Sequence, residues 1–344
     1  MLKLPMERKS DFKDWCLFLF WSLQRFNRRI IGIVSIKKIS LSVDKINSER
    51  IEVLKFTHNV KPMLNYKQQP KLSQKLVLLK NVVLNPKTGV TWLDRLIIEE
   101  SSVWPVNKLL IWEPKPYIAP YIKNISISLP DNGYYHFVIE DLPRFLELIN
   151  HFPFDQVIVG SKANYILSSI NLLKIDSILF KTYPIRCQSL LLSEKKLGGI
   201  FSKSDFNQLQ SFSGSIRASN TNKTIFIHRR NTKKGLIDRG LQYAEEIVSR
   251  IQKMNIEIVY LEDFSLDDQI KLVKSAKTLI GFHGAGLANM VWQESNAKII
   301  EISETRITQH FRHIASVCGH EYVFLKASTL LKRKDSELES IFKH

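Results

Sequence analysis

The stretch Thr278-Leu-Ile-Gly-Phe-His-Gly-Ala-Gly-Leu-Ala-Asn289 runs from an apolar strand through a turn with three glycines directly into a short helix. Glycine accepts positive φ angles and lets a ligand approach the backbone closely. The free N–H groups and the dipole at the start of the next helix attract a phosphate. The stretch therefore predicts a phosphate-binding turn made by His283, Gly284, Ala285, Gly286 and Leu287. A tight strand-to-helix turn with a buried histidine is the other interpretation.

Strands and helices alternate regularly on both sides of this turn. Strands are predicted at Thr224–His228, Ile256–Leu261, Thr278–Gly281, Lys298–Ile302 and Tyr322–Leu325, with helical patterns between them. This alternation is typical of a parallel, doubly wound α/β sheet. In such sheets, ligands bind at the carboxyl ends of the strands.

Charged residues follow two of these strands. Arg229 and Arg230 leave the first strand, and Arg239 comes soon after them. Arginines at a strand end can make bidentate contacts with a diphosphate. More commonly, such a pair lies in a solvated basic loop. Glu301 ends another strand and can accept from ribose hydroxyls, or it can cap a loop.

The N-terminal half carries a second polar group inside a predicted helix, Tyr134–Ile149, which Pro143 should break or restart. His136 and Glu140 are four residues apart, so they share a helix face, and Asp141 follows. These three residues are the candidates for a general base. A structural histidine beside a surface acidic pair is the alternative interpretation.

Composition sets broad limits. The chain has 344 residues, a hydrophobic share of 44% and a formal net charge of +17. The apolar share excludes a disordered chain, and the charge favours an anionic partner, such as a nucleotide, an acidic membrane surface or nucleic acid. The three cysteines are widely spaced, which favours a reducing compartment over a disulfide framework. No Asp-x-Asp occurs, so the usual carboxylate pair for a metal-bound diphosphate is missing.

The apolar run Trp15–Leu23 is followed by arginines. It is too short to cross a bilayer, and no cleavage site of a signal peptide follows it. It fits either a helix packed on the protein's own core or a helix lying in a membrane interface. The sequence thus predicts a cytoplasmic chain, with peripheral attachment to the inner membrane face left open.

Taken in order, the motifs resemble the family-61 glycosyltransferases. The matching pieces contain Tyr135-His136 through Pro143, Ile225 through Arg230 with Arg239, Leu261 through Gln269, and Gly281 through Trp292 with Glu301. The resemblance covers residues 134–302. One position departs from it, because relatives often carry Asn-Glu where Tyr243-Ala244 stands here.

This resemblance implies a GT-B architecture, in which two Rossmann-like doubly wound domains face a cleft. It also implies inverting transfer from a nucleotide-diphosphate sugar, most simply a UDP-sugar, without a cofactor or metal. The donor ligands would be Arg229, Arg230, Arg239, His283, the Gly284-to-Leu287 backbone and Glu301. The catalytic residues would be His136, Asp141 and Glu140.

We predict four regions: an N-terminal extension (1–70), an acceptor-side domain (71–210), a nucleotide-sugar-binding domain (211–330) and a C-terminal tail (331–344). The predicted acceptor is a glycan or a lipid-linked glycan of surface-polysaccharide synthesis. The alternatives are a non-catalytic nucleotide-binding relative and a basic nucleic-acid-binding protein. The second alternative lacks a recognisable nucleic-acid-binding motif.

Overall fold

The computed structural model describes residues 32–34, 51–54, 76–93, 96–98, 101, 119–193, 201–218, 222–230, 239–305 and 308–343. The chain divides into two compact units, Met1–Gly199 and Ile200–His344. Each unit combines a sheet with helices, which confirms the predicted α/β class. The run Trp15–Leu23 lies outside the described residues. In the described part of the chain, no helix is both long and apolar enough to span a bilayer.

The first unit has a mixed sheet. Its described strands are β1 (Gly32–Val34), β2 (Ile51–Leu54), β3 (Leu76–Leu84), β4 (Thr91–Leu93), β5 (Leu96–Ile98), β6 (Tyr121–Leu129), β7 (Gln156–Val159), β8 (Ile178–Phe180) and β9 (Ile185–Ser193). They lie in the order β1-β5-β4-β3-β9-β6-β7-β8, and β2 also pairs with β3. The strands β9, β6, β7 and β8 run parallel, whereas β3 is antiparallel to β9. The Rossmann-like character of this unit is therefore confined to its parallel half, and β1 and β2 of the predicted N-terminal extension belong to its sheet.

One helical segment of this unit differs from its prediction. It begins as α1 (Tyr134–His136), widens into a π-turn (Phe137–Asp141) and continues as α2 (Leu142–His151). Pro143 has no N–H to donate to the carbonyl four residues earlier. The Leu142 N–H instead bonds the Phe137 carbonyl, five residues back. The helix restarts as α2 at Leu142 with Pro143 in its first turn, where a missing N–H is tolerated, so the predicted break or restart takes the form of a restart. A further helix, α3 (Asn164–Leu172), connects β7 to β8.

The second unit contains the predicted parallel sheet. Its described strands are β10 (Lys223–His228), β11 (Glu257–Tyr260), β12 (Ala276–Phe282), β13 (Lys298–Ser303) and β14 (Glu321–Lys326). They lie in the order β11-β10-β12-β13-β14, and every neighbouring pair is parallel. The central strands are buried apolar runs, as expected for strands covered on both faces.

Helices and 3₁₀ turns connect these strands. The α-helices are α4 (Lys203–Phe212), α5 (Ala244–Lys253), α6 (Leu266–Lys274), α7 (His310–Cys318), α8 (Ala327–Leu330) and α9 (Asp335–Lys343). Short 3₁₀ segments occur at Leu241–Tyr243, Leu261–Asp263 and Ala285–Trp292. Ser265 caps α6 through the Asp268 N–H, as its sequence predicts.

Two boundaries differ from the sequence interpretation. The helix α4 begins before residue 211, yet it packs on Ala285–Trp292 and α7 and belongs to the second unit. Residues 331–344 were expected to form a tail. They contain α9, whose Leu338 and Phe342 are fully buried in the core of the second unit. The apolar spacing of α9 explains why it packs instead of remaining a tail.

Gly160, directly after β7, allows close contact with the turn after β3. A Cβ added at Gly160 would lie 2.4 Å from the Cα and N atoms of Lys87, so the clash is with backbone. In the same turn, the Lys87 carbonyl accepts a hydrogen bond from the Asp131 backbone N–H at 2.8 Å. Gly160 thus fixes the turn beside the carboxyl ends of β6 and β7.

We expect Gly160→Ala to lower the free energy of unfolding by about 1–3 kcal/mol or more, because backbone atoms cannot yield to the new methyl group. Urea denaturation of the purified variant measures this loss. Lys162→Ala, at an exposed position two residues later, is the matched control. A loss below about 0.5 kcal/mol, the usual range for surface changes, would contradict the close contact.

Candidate active site

The strand order of the second sheet marks a crevice. The chain passes from β10 to β11 on one side and then crosses to β12 on the other side. In open parallel sheets, such a reversal leaves a crevice at the carboxyl ends of the two central strands, where ligands bind. Arg229 follows β10 and His283 follows β12, so the structure brings these two predicted residues to the same crevice.

The glycines of the turn are required for space, and the expected positive φ angles are wrong. Among the described residues, positive φ occurs at other glycines, and Gly284 has an extended φ of 168°. A Cβ at Gly286 would lie 2.8 Å from Ile227 Cγ2, and one at Gly281 would lie 3.2 Å from Leu287 Cδ2. The turn therefore packs directly against the neighbouring strand β10.

Arg229 lies against this turn. A Cβ at Gly284 would be 3.4 Å from the Arg229 guanidinium nitrogen Nη1. The segment Ala285–Trp292 is a 3₁₀ helix whose first internal bond runs from the Leu287 N–H to the Gly284 carbonyl. The N–H groups of Ala285 and Gly286 precede that bond. A guanidinium and helix-start N–H groups beside one another form a suitable arrangement for a phosphate.

Arg230 points elsewhere. Its Nε donates to Asp263 Oδ1 at 3.0 Å, its Nη2 also contacts Asp263, and its guanidinium lies 4.6 Å from the Tyr260 ring centroid. The side chain is 60% exposed, so this ion pair contributes little to stability. The two predicted arginines are thus separated, with Arg229 at the glycine turn and Arg230 at the end of β11.

A buried carboxylate holds His283 in place. Glu301 Oε1 lies 2.5 Å from His283 Nδ1, and Glu301 Oε2 accepts from the Tyr322 hydroxyl at 2.5 Å. Glu301 is only 1% exposed, and both of its oxygens bond protein groups. A carboxylate accepts hydrogen bonds, so it orients the imidazole with Nδ1 toward the core. This geometry favours a positioning role for Glu301, and its contact with ribose stays a prediction.

The position of Arg239 follows from the contacts of the next residue, Gly240. Gly240 has a φ of 70°, and a Cβ at Gly240 would lie 3.2 Å from the Glu304 backbone nitrogen. Glu304 directly follows β13, so Arg239 lies near the same carboxyl edge as Glu301. The side chain of Arg239 is partly buried.

In the first unit, the three predicted catalytic residues lie at the π-turn, with His136 directly before it and Glu140 and Asp141 within it. His136 Nδ1 lies 3.2 Å from Glu140 Oε2, and the imidazole keeps 29% of its side-chain surface exposed. Burial lowers the pKa of His136, but the hydrogen bond and charge of Glu140 and the charge of Asp141 outweigh it. The pKa of His136 is therefore above its ordinary value.

Asp141 differs from its neighbours because it is 2% exposed. Burial raises the pKa of its carboxyl to about 8, with a further contribution from the charge of Glu140. The hydrogen bond from Asn132 Nδ2 to Asp141 Oδ2, 3.2 Å long, and the charges of Arg144 and His136 act in the opposite direction. At neutral pH the carboxyl is mostly protonated and has no capacity to accept a proton.

Asp141 also faces a small cavity of about 20 Å³, a volume that suits one water molecule. Within the described part of the chain, Asp141 Oδ1 and Ser128 Oγ are buried without hydrogen-bond partners, and both residues line this cavity. Arg144, which donates to the Ser193 carbonyl at the end of β9, lines it as well. The cavity lies between the carboxyl ends of β6 and β9, where the strand order of the first sheet reverses.

Several groups around these sites were not predicted from the sequence. Tyr322 was missed because its partner Glu301 comes from another strand, and Ser128 because it belongs to no recognisable motif. Strand register places Tyr322 beside Glu301, since Ile299, two residues before Glu301, pairs with Tyr322 on β14, and no local sequence pattern specifies that register.

Comparison with known protein families gives a match. Residues 134–300 match the sequence profile of the family described as Glycosyltransferase 61. The matched region begins at the first residue of α1 and ends one residue before Glu301, so it includes residues of both candidate sites. A search of curated proteins found no match.

Asp141 gives the first unit a distinct dependence of stability on pH. Its pKa is raised in the folded state, so the folded chain keeps the proton while the unfolded chain loses it as the pH rises above about 4. The free energy of unfolding should therefore fall between about pH 4 and about pH 8. In Asp141→Asn, which imitates the neutral carboxyl, this contribution is absent.

We expect Asp141→Asn to match the wild type in thermal midpoint near pH 4 and to exceed it increasingly toward pH 8, by a few kcal/mol in free energy. Thermal unfolding over this range measures the difference. Asp176→Asn, at an exposed position, controls for the loss of a carboxylate as such. A difference that stays constant with pH would contradict a buried neutral Asp141.

Proposed function

On the premise that the chain is a family-61 glycosyltransferase, we propose that it transfers a sugar from a nucleotide-diphosphate donor, a UDP-sugar, to a glycan or lipid-linked acceptor. In this proposal, transfer inverts the anomeric carbon, needs no metal and takes place between two units arranged as in GT-B enzymes. The acceptor belongs to surface-polysaccharide synthesis, on the cytoplasmic side of a membrane to which the chain attaches peripherally.

The observation that carries the donor side is the crevice between β10 and β12. Arg229, the N–H groups of Ala285 and Gly286, and His283 converge there. As the bond between the sugar and the diphosphate breaks, negative charge grows on the leaving phosphate. Donors that are already oriented stabilise that charge without reorganisation. The hydrogen bond from His283 to Glu301 supplies this orientation for the imidazole.

On the acceptor side, His136 is the best candidate for the base. A base must be partly accessible, unprotonated in part near neutral pH and oriented toward the hydroxyl that it serves. His136 is partly exposed, and its hydrogen bond to Glu140 fixes the ring and stabilises the imidazolium that forms when the acceptor hydroxyl is deprotonated. Asp141 is mostly protonated at neutral pH and buried, so it fits this role poorly.

The donor proposal predicts that UDP stabilises the protein without a divalent cation. At about 100 times its Kd, a ligand adds about 2.7 kcal/mol to the free energy of unfolding. This is a shift of several degrees in thermal midpoint, and EDTA should not change it. Gly284→Val should abolish the shift, because the added side chain would meet the Arg229 guanidinium.

Arg229→Ala should weaken UDP binding more than Arg230→Ala, because Arg230 is held by Asp263 at the end of β11. The unliganded thermal midpoints of the variants show whether they fold. Loss of the UDP shift with EDTA, and its return with magnesium or manganese, would contradict the metal-free proposal.

The base proposal is tested with three variants, His136→Ala, Glu140→Gln and Asp141→Asn. Losing a general base typically costs about a hundred- to ten-thousand-fold in rate. We expect that loss in His136→Ala, a smaller loss in Glu140→Gln, and near wild-type turnover in Asp141→Asn. UDP affinity should stay the same in all three. If His136→Ala keeps more than about a tenth of the rate, the base lies elsewhere.

A further inference from the structure

His228, the last residue of β10, lies at the same carboxyl edge as Arg229 but has no role in the site described above. Its imidazole centroid is 5.4 Å from the Tyr260 ring, 6.0 Å from Phe226 and 6.3 Å from Phe282. Side chains on two neighbouring strands therefore fix the ring. It is half-buried in a largely aromatic surrounding.

One ring nitrogen of His228 is unsatisfied. Nδ1 is buried and has no hydrogen-bond partner among the described residues. Leaving a buried polar atom unpaired destabilises a folded protein, and a phenylalanine at this position would avoid that cost. His228 is only partly buried, so a polar side chain in such a surrounding points to a use for its other nitrogen, Nε2.

The protonation of His228 is consistent with a neutral donor. Burial lowers the pKa of His228, and the charge of Glu262 only partly offsets this. The ring is therefore neutral at neutral pH. A neutral imidazole carries one hydrogen, and a buried nitrogen without a partner tolerates a lone pair better than an unbonded N–H. Nε2 then carries the hydrogen and can donate it to a ligand.

His228 and Arg229 reach the crevice from opposite faces of the sheet, since successive side chains of a strand alternate. Ile227 packs against Gly286, so residues on its face approach the glycine turn. His228 shares the other face with Phe226 and Phe282. A diphosphate held by Arg229 and the turn leaves a different part of the donor for His228.

We propose that His228 binds the nucleoside part of the donor by donating its Nε2 hydrogen to an oxygen of the base or ribose. The inference rests on the function proposed above. Phe226 and Phe282 are buried, so they hold the imidazole in place rather than contact a ligand. His228 therefore offers one directed N–H, and a directed polar group orients a nucleoside by a hydrogen bond. A phosphate would instead favour the cationic Arg229 on the opposite face.

Two substitutions separate the hydrogen bond from the packing. His228→Phe keeps an aromatic ring against Phe226, Phe282 and Tyr260 and removes the donor. His228→Gln keeps an N–H donor close to the position of Nε2 and removes the ring. Calorimetric titration of wild type with UDP, GDP and ADP identifies the tightest nucleoside diphosphate, which is then titrated into both variants. Inorganic pyrophosphate is the probe for the phosphate contacts.

We expect His228→Phe to weaken binding of that nucleoside diphosphate about 3- to 10-fold, as for the loss of one hydrogen bond. Its pyrophosphate affinity should be unchanged, and its unliganded thermal midpoint equal to or above that of wild type. His228→Gln should retain most of the affinity.

Wild-type nucleotide affinity in His228→Phe would overturn the inference and leave the proposed function standing. An equal loss of pyrophosphate binding would overturn the assignment to the nucleoside, and a loss in His228→Gln as large as in His228→Phe would overturn the donor role. Failure of wild type to bind any of the three nucleotides would overturn the proposed function itself, and this inference with it.

Discussion

The buried carboxylate of Glu301 constrains the arrangement of the second unit's site. A charge that is 1% exposed must be paired and hydrogen-bonded, because the interior solvates it poorly. Its two oxygens bond His283 from the end of β12 and Tyr322 from β14, so one side chain joins three neighbouring strands. The backbone N–H of His283 also donates to the Ile302 carbonyl at 2.8 Å, and this bond connects the start of the turn to β13. The position of the glycine turn therefore follows from the requirement to satisfy this carboxylate.

The same topological rule operates in both units. In each sheet, the chain adds strands on one side of a central strand and then crosses to the other side of it. This central strand is β10 in the second sheet and β6 in the first. At both places, polar residues follow the carboxyl ends of apolar strands: Arg229 and His283 in one unit, Asn132 and the Asp141 cavity in the other. Parallel strands end at one edge, so residues distant in sequence meet there without any long-range motif.

The fold of residues 223–326 could be predicted almost strand by strand, because parallel strands buried on both faces appear as continuous apolar runs between helical patterns. The first unit was harder. The strand Ile185–Ser193 was not predicted. Its apolar and polar residues alternate at its start and it is continuously apolar at its end, so neither of the two strand patterns extends over its whole length. The helix α4 was assigned to the end of the other domain by the boundary predicted at residue 210, although its Ser202–Asp205 capping box marks the start of a helix. Candidate site residues could be identified where they follow strands or share a helix face. Their partners depend on register, which no local pattern specifies.

The π-turn of the first unit has a geometric consequence for the residues on either side of it. An α-helix turns by about 100° per residue, so one extra residue in a turn rotates everything after it by about that angle around the helix axis. In an uninterrupted helix, His136, Glu140, Arg144 and Glu147 would lie along one stripe. The π-turn divides that stripe. His136 and Glu140 remain paired with each other, with His136 partly exposed, whereas Arg144 and Glu147 bond Ser193 at the end of β9. A single continuous helical segment thereby carries the His136–Glu140 pair on one side and the pair that bonds Ser193 on another.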